Sequence, residues 1–443
     1  MHRLLLPFVL LVASLSGQPG EPAVPLVLIS IDGLKPDYVI DASKHGLKIP
    51  NLRRLLTAGA HASGVRGVAP SMTYPSHTTI VTGVSPARHG IFANASFDPF
   101  ARNMGGRYWY AEDIRVPTLW DAATEAGMVT SAVAWPVTVA ARIRYNIPAY
   151  WRTGTADDQK IIRALASPGL LAEMEHALGP YPDGIDQSIE SDRRRVPFNV
   201  YLLEKKKPRL HFAWLAGLDH AQHEHLPYTA PVFAVLEEVD RLLGDLQQAA
   251  LAAGGGRATI CVVSDHGFAA TEAELHLNAA LREAGLVTVN ARGGVQTWRA
   301  FAWNSGGSAV IMLNDPNDSD ARSKVRQVLA GLASDPHRGI LRVVDGAGAF
   351  EGLPQAAFVV GMREGFRVGG NLDGPVSSAG KPGGTHGFLP DAAAMNASFF
   401  ISGPGLAAGR DLGEIDMRDV APTVASLLAL TLPQADGRVL PLK

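Results

Sequence analysis

Three apolar segments of this chain, each with the pattern of a buried strand, end in acids or acid–histidine pairs. Asp32 follows Val24–Ile31 (VPLVLISI), Asp219 and His223 follow Leu210–Ala216 (LHFAWLA), and Asp265-His266-Gly267 follow Ala258–Ser264 (ATICVVS). A fourth piece, Gly384-Thr385-His386-Gly387, sits in a glycine-rich stretch late in the chain. Ligands of open α/β sheets collect outside the carboxyl ends of the strands, so residues far apart in sequence can converge there. Three carboxylates and three imidazoles form a mixed oxygen and nitrogen donor set that suits zinc or a similar first-row metal. Six such side chains exceed what one catalytic zinc needs, so two divalent ions are implied. A pair roughly 3.5–4 Å apart can clamp the attacking and leaving oxygens of a displacement at phosphorus. Taken singly, each piece has a plainer reading: a turn acid, a helix cap or a surface histidine. Their recurrence at successive strand ends favours the metal site.

A nucleophile is also on offer. Ser71-Met72-Thr73-Tyr74-Pro75-Ser76-His77 places hydroxyls in a tight, proline-containing turn that opens the apolar helical run Thr78–Thr82 before Gly83. A helix N-terminus presents free N–H groups and a favourable dipole to an anion. A threonine there could attack phosphorus if a cation stabilised its alkoxide. The competing reading is that Thr73 and Ser76 only cap the helix, and spacing does not separate the two.

The elements that must carry these residues alternate. Helical spacing appears over Ile49–Gly59, 118–127 with a threonine cap, Pro231–Ala253, Asp320–Leu332 and Asp419–Leu430, and a further strand over Met128–Ala134. The expected fold class is α/β, a mostly parallel central sheet flanked by helices. Two stretches break the rhythm, at about 138–208 and 269–380, and read as insertions that form cap segments on one catalytic domain running from 24 to 443.

Met1–Arg3 is short and basic, Leu4–Val12 apolar and Ala13–Gly17 small and polar, the order of a secretory signal over 1–17. Export to a periplasmic or secreted location is therefore expected. The apolar run is too short for a membrane span, and no other run reaches that length. The single cysteine, Cys261, excludes an intrachain disulfide and a lipid-anchoring motif near the N-terminus. With 443 residues, 47% apolar, 19% charged and a net charge of −2, the chain is globular and carries no basic field for a nucleic-acid backbone or an anionic membrane. Nothing in the sequence points to an obligate protein partner.

In order and spacing, Ile31-Asp32-Gly33, Thr73-Tyr74-Pro75-Ser76-His77, Val81-Thr82-Gly83, His89-Gly90-Ile91, Trp135-Pro136, Asp219-x-x-x-His223, Ser264-Asp265-His266-Gly267 and Thr385-His386-Gly387 resemble the nucleotide pyrophosphatase/phosphodiesterase branch of the alkaline phosphatase superfamily. Asp419-Val420-Ala421-Pro422-Thr423 and Asp436-Gly437-Arg438 resemble its last helix and tail. The resemblance implies one metal held by Asp219, His223 and His386 and a second held by Asp32, Asp265 and His266, most readily Zn²⁺. It implies Thr73 as a nucleophile that contacts the second metal and forms a phospho-threonine, and a small phosphodiester or nucleotide as substrate. The family usually has an Asn three residues after the nucleophile to donate to a phosphoryl oxygen; this chain has Ser76, a shorter donor. Tyr74 stands where the family often has a base-stacking aromatic, and Tyr150 is a candidate for the opposite wall, with Tyr145 and Trp151 as neighbours. A phosphomonoesterase or phosphonate-ester hydrolase would share the same centre, and an extra arginine on the phosphate would favour the monoesterase; Arg66, Arg88 and Arg102 are the nearest in sequence. An envelope phospho-transferase or a non-catalytic binding module ranks below these, since every ligand position and Thr73 are present. A sulfatase does not fit, because His77 stands where its motif needs arginine.

Overall fold

The computed structural model describes residues 23–346 and 353–443, so the expected signal segment lies outside the described residues. Its backbone is an eight-stranded sheet whose strand order is Arg410–Asp411, Ala60–His61, Phe399–Ser402, Thr259–Val263, Leu26–Ile31, Leu210–Leu215, Thr130–Val133 and Tyr145–Ile147. The last five of these run parallel to one another, and Phe399–Ser402 runs antiparallel to Thr259–Val263. The mostly parallel α/β sheet expected from the alternation is therefore present.

The central strand shows why. Leu26–Ile31 is buried along its whole length, as a strand covered on both faces must be. Alternate residues serve opposite cores. Val27, Ile29 and Ile31 pack with Val232, Leu236 and Leu243 of the long helix Ala230–Ala253, while Leu26 and Leu28 pack with Ile80 and Val81 of the helix Thr73–Thr82 and with Val424 near the C-terminus. Each fully buried leucine or isoleucine contributes about 1.5–3 kcal/mol of burial.

Most helices start and stop where their local chemistry dictates. Leu119–Glu125 opens on a capping box, with the Thr118 hydroxyl accepting from the Asp121 amide and the Asp121 carboxylate accepting from the Thr118 amide. Pro50–Ala58 carries its proline in the first turn, where no N–H is needed. The irregular stretches resolve into different roles. The 138–208 region supplies Tyr145–Ile147 to the edge of the main sheet and the helix Ile189–Tyr201 that packs beside Ala230–Ala253, so it is woven into the main layer. The 269–380 region builds a four-stranded sheet of its own, in the order Ala300–Asn304, Ser308–Leu313, Ala356–Met362 and Ile340–Asp345, backed by the helix Ser319–Ala333. Among the described residues no helix is long and apolar enough to cross a membrane.

Two buried histidines outside the acid–histidine cluster make the fold sensitive to acid. His211 accepts from the Ser131 hydroxyl at Nδ1 (2.6 Å) and donates from Nε2 to the Asn199 side-chain Oδ1 (3.0 Å). His89 accepts from the Ile91 amide at Nδ1 (3.1 Å) and donates from Nε2 to the Thr79 hydroxyl (3.0 Å). Burial pushes both imidazoles down to about 3. The unfolded chain, with histidines near 6.5, therefore binds more protons between about pH 3 and 6.5, and stability falls as pH drops through that window. Between pH 7 and pH 5 each residue is expected to cost about 2 kcal/mol. Urea midpoints at the two pH values check this for the wild type and for His211→Gln, whose midpoint should shift less. Equal shifts in the two proteins would show that His211 does not carry the effect.

Candidate active site

The parallel register sets the site. Ile31 pairs with Leu215, and Ser30 with Val263, so the three strands end level and release their next residues at one edge. Asp32 follows the first strand directly, Asp265 lies two residues past the second, and Asp219 sits in the first turn of the helix Gly217–Glu224 that starts just after the third. His223 is one turn further along that helix. His386 arrives from the opposite side, on the turn that follows the strand Ser377–Thr385.

Two clusters result. The ligand atoms of Asp32, Asp265 and His266 lie within 4.8 Å of one another, and so do those of Asp219, His266 and His386. His266 Nε2 is 3.4 Å from Asp32 Oδ1 and 3.1 Å from Asp265 Oδ2, and His386 Nε2 is 3.8 Å from Asp219 Oδ1. His223 stands at the open rim with its Nε2 3.4 Å from Asp219 Oδ2. The structure thus brings all six predicted side chains together, with His266 shared between the tight groups and His223 outermost.

The hydrogen bonds set the tautomers. Each imidazole spends its Nδ1–H on a backbone carbonyl: His223 on Gly384 (3.1 Å), His266 on Gly267 (3.1 Å) and His386 on Ser71 (3.2 Å). Every Nε2 lone pair is left facing the carboxylates, the arrangement by which outer partners orient metal-binding histidines. The carboxylates are held from behind as well. The Trp214 indole donates to Asp32 Oδ2 (2.9 Å) and the Gly33 amide to Asp265 Oδ1 (3.2 Å). The atoms turned inward have no hydrogen-bond partner among the described residues: Asp32 Oδ1, Asp219 Oδ1, Asp265 Oδ2 and His266 Nε2 are all buried and bare. Unpaired buried carboxylate oxygens are costly, and divalent cations at this donor set would satisfy them. Burial pushes the Asp219 carboxyl up to about 6; burial and then mutual repulsion hold Asp32 well above the usual carboxylate range, and burial raises Asp265 too. Burial drives His266 and His386 the other way, toward the neutral form that binds metal.

Thr73 is the first residue of the helix Thr73–Thr82, which has no side-chain cap at its N-terminus. Neither Thr73 nor Ser76 is spent on capping. The Tyr74 amide goes to Asn94 Oδ1 (2.9 Å), Pro75 has no N–H, and the Ser76 amide returns to the Met72 carbonyl. Asn94 Nδ2 points at Thr73 Oγ1 from 3.4 Å. An amide side chain thus reaches Thr73 from 21 positions downstream, not from three residues after it, and no local spacing rule could find it. Ser76 Oγ is fully buried with no partner among the described residues and does not reach the hydroxyl of Thr73 by any hydrogen bond. His77, also fully buried, donates from Nδ1 to the Thr73 carbonyl (2.7 Å) and lies 3.6 Å from Asp265, tying the nucleophile turn to the metal edge.

Tyr74 and Tyr150 stand differently from the expectation. Both fill the core between the nucleophile helix and the 147–181 segment, with 1% and 5% of their surfaces exposed, and Tyr150 lies 4.8 Å from the Trp109 ring. Neither presents an open face to a base, because the 138–208 stretch is packed down onto them. Of the arginines near the nucleophile in sequence, Arg66 pairs with Asp416 and Arg88 with Asp436.

Residues 26–389 match the type I phosphodiesterase / nucleotide pyrophosphatase family. The chain belongs to that family. Within it, this sequence is 27% identical over 257 residues to an uncharacterized pyrophosphatase/phosphodiesterase of Schizosaccharomyces pombe, covering 56% of this chain and 45% of that protein. It is 24% identical over 268 residues to mouse ectonucleotide pyrophosphatase/phosphodiesterase family member 3, covering 58% of this chain and 26% of that one. The chain therefore spans less than half the length of these relatives. Its fold matches that of murine ectonucleotide pyrophosphatase / phosphodiesterase 5 with a TM-score of 0.67 at 21% identity, covering 93% of this chain and 97% of the other. A second structure of that protein, an inactive threonine-to-alanine variant in complex with AMP, matches with the same TM-score at 20% identity.

Proposed function

We propose that this protein is an exported two-metal phosphodiesterase or nucleotide pyrophosphatase that acts through a phospho-threonine on Thr73. The observation that carries the reading is the set of bare, buried carboxylate oxygens faced by imidazole Nε2 atoms, beside an uncapped helix N-terminus that offers the Thr73 hydroxyl. Asp32, Asp265 and His266 would hold one divalent cation, and Asp219, His223 and His386 the other; the donor set favours Zn²⁺. Such cations supply Lewis-acid stabilisation of the attacking, leaving and phosphoryl oxygens.

The chain's own residues do the rest. Thr73 Oγ1 gives up its proton to solvent and attacks phosphorus, the bond from phosphorus to the leaving oxygen breaks, the leaving group departs and takes a proton from solvent, and the phosphoryl group stays on Thr73. Asn94 Nδ2, already aimed at the threonine hydroxyl, donates to a phosphoryl oxygen as charge builds there. His77 and Asn94 fix the backbone of the turn that carries the hydroxyl. Water then attacks phosphorus and loses a proton to solvent, the bond from phosphorus to Thr73 Oγ1 breaks, Oγ1 regains a proton, and the phosphate monoester leaves. The AMP complex of the similar murine structure, seen with a threonine-to-alanine variant, supports a nucleotide-sized ligand.

Turnover of a nitrophenyl nucleotide diester and of nitrophenyl phosphate, with zinc present, tests the proposal. Diester hydrolysis is expected to exceed monoester hydrolysis by at least about 100-fold in kcat/KM, some 3 kcal/mol of transition-state preference. The pairing of Arg66 and Arg88 with Asp416 and Asp436 removes those two arginines as holders of the second phosphate charge that the monoesterase alternative would bind. Monoester hydrolysis faster than diester hydrolysis would move the protein to the phosphatase side.

A further inference from the structure

One arginine beside the nucleophile turn has no carboxylate partner. Arg107 forms an antiparallel bridge with Ala95, the residue after Asn94, and the Tyr108 amide donates to the Asn94 carbonyl (3.1 Å). The segment that carries Arg107 is therefore the one that braces the residue aimed at Thr73. The guanidinium lies over the Trp151 ring at 5.0 Å and close enough to Tyr74 to counter part of the burial that pushes that phenol up to about 12. Arg107 is half-buried and has no ion pair among the described residues, whereas Arg66 and Arg88 on the same side of the fold are both neutralised. Arg102 and Arg152 repeat the pattern, each over an aromatic ring, at 4.6 Å from Phe100 and 5.9 Å from Trp109, and neither has an ion pair among the described residues. Arg102 and Arg152 are both exposed, and Arg152 is also engaged with the Asn103 carbonyl (2.9 Å), which leaves Arg107 as the half-buried cation of the three.

A half-desolvated guanidinium held flat by an aromatic is pre-organised to take an anion in two hydrogen bonds. Its place matters: it stands next to Asn94 and Tyr74, the two residues that flank Thr73. We propose that Arg107 binds a second anionic group, a further phosphate, on the part of the substrate that stays with the reacting phosphorus. Resting on the proposed phosphodiesterase reading, this narrows the substrate class to diesters whose retained nucleoside carries an additional phosphate.

Equilibrium binding reads the subsite without turnover. Zinc-loaded protein is titrated calorimetrically with AMP, adenosine 2′,5′-bisphosphate and adenosine 3′,5′-bisphosphate at fixed ionic strength. At least one bisphosphate is expected to bind the wild type about tenfold more tightly than AMP, the size of one charge-assisted contact. Arg107→Ala should erase that advantage while leaving AMP affinity within about twofold, and Arg107→Lys should keep part of it as a point charge. Bisphosphates that bind no better than AMP, or an advantage that survives in Arg107→Ala, would overturn the proposal. The nitrophenyl diester assay separates the two readings: a protein that hydrolyses the diester but shows no bisphosphate preference loses only the Arg107 subsite, and one that binds bisphosphates through Arg107 but hydrolyses no diester loses only the proposed activity.

Discussion

Thr73→Ala is expected to reduce diester hydrolysis by at least about 10³-fold, the order seen when a covalent nucleophile is removed and only electrostatics and binding remain. The same variant should keep its metal content and its folded stability. The tight ligand groups are built from Asp32, Asp219, Asp265, His266 and His386, whose carboxylates and imidazoles all remain in the variant. The backbone of the turn is held independently of the hydroxyl, by the His77 ring on the Thr73 carbonyl and by Asn94 on the Tyr74 amide. The loss is therefore expected in kcat, with zinc stoichiometry by elemental analysis and the urea midpoint unchanged. Acid quenching of the wild type during turnover should trap phosphate on the peptide that contains Thr73. Retention of a tenth or more of wild-type activity by Thr73→Ala would show that another group attacks phosphorus.

Much of that site was legible because its parts obey local rules. A buried parallel strand reads as an unbroken apolar run, and the first acid after it marks the carboxyl edge of the sheet, as Asp32 and Asp265 do. Thr118 and Asp121 show the same legibility in a helix start, since a capping box is written in four consecutive residues. What stayed hidden depends on contacts between distant segments. Asn94 reaches Thr73 only through the loop that follows the helix Thr73–Thr82, held by a single bridge between Ala95 and Arg107, and neither its type nor its spacing from Thr73 signals that. Tyr74 sits beside the nucleophile in sequence, yet its exposure is set by Trp109 and Tyr150, which arrive from elsewhere. The 138–208 stretch looked like an appendage because its helices break the strand–helix rhythm; its three-residue strand Tyr145–Ile147 is too short to leave a hydropathy pattern, although it docks on the sheet.

Removing the metal should have the second large effect, on stability as well as on activity. Chelation is expected to abolish turnover and to lower the melting temperature by at least about 5 °C, the scale of a ligand bound at a large excess over its dissociation constant. The pH dependence of that loss follows from the carboxylates. In the metal-free protein Asp219 titrates near 6, raised first by burial, and Asp32 and Asp265 are raised by burial as well, whereas the unfolded chain holds its aspartates near 3.9. A group raised on folding stabilises the fold fully below its unfolded value, and that contribution is lost as pH climbs through its folded value. The site in the metal-free protein therefore weakens the fold from about pH 4 upward and costs most above pH 6. Metal binding runs the other way, because neutral imidazoles and ionised carboxylates are the binding forms. Both effects widen the gap between metal-loaded and metal-free melting temperatures as pH rises. Scanning calorimetry at pH 5 and pH 8, with and without chelator, should show the larger gap at pH 8, and Asp265→Asn should shrink it. A gap that is the same at both pH values, or activity that survives complete metal removal, would separate these carboxylates from any cation and leave their burial without an energetic account.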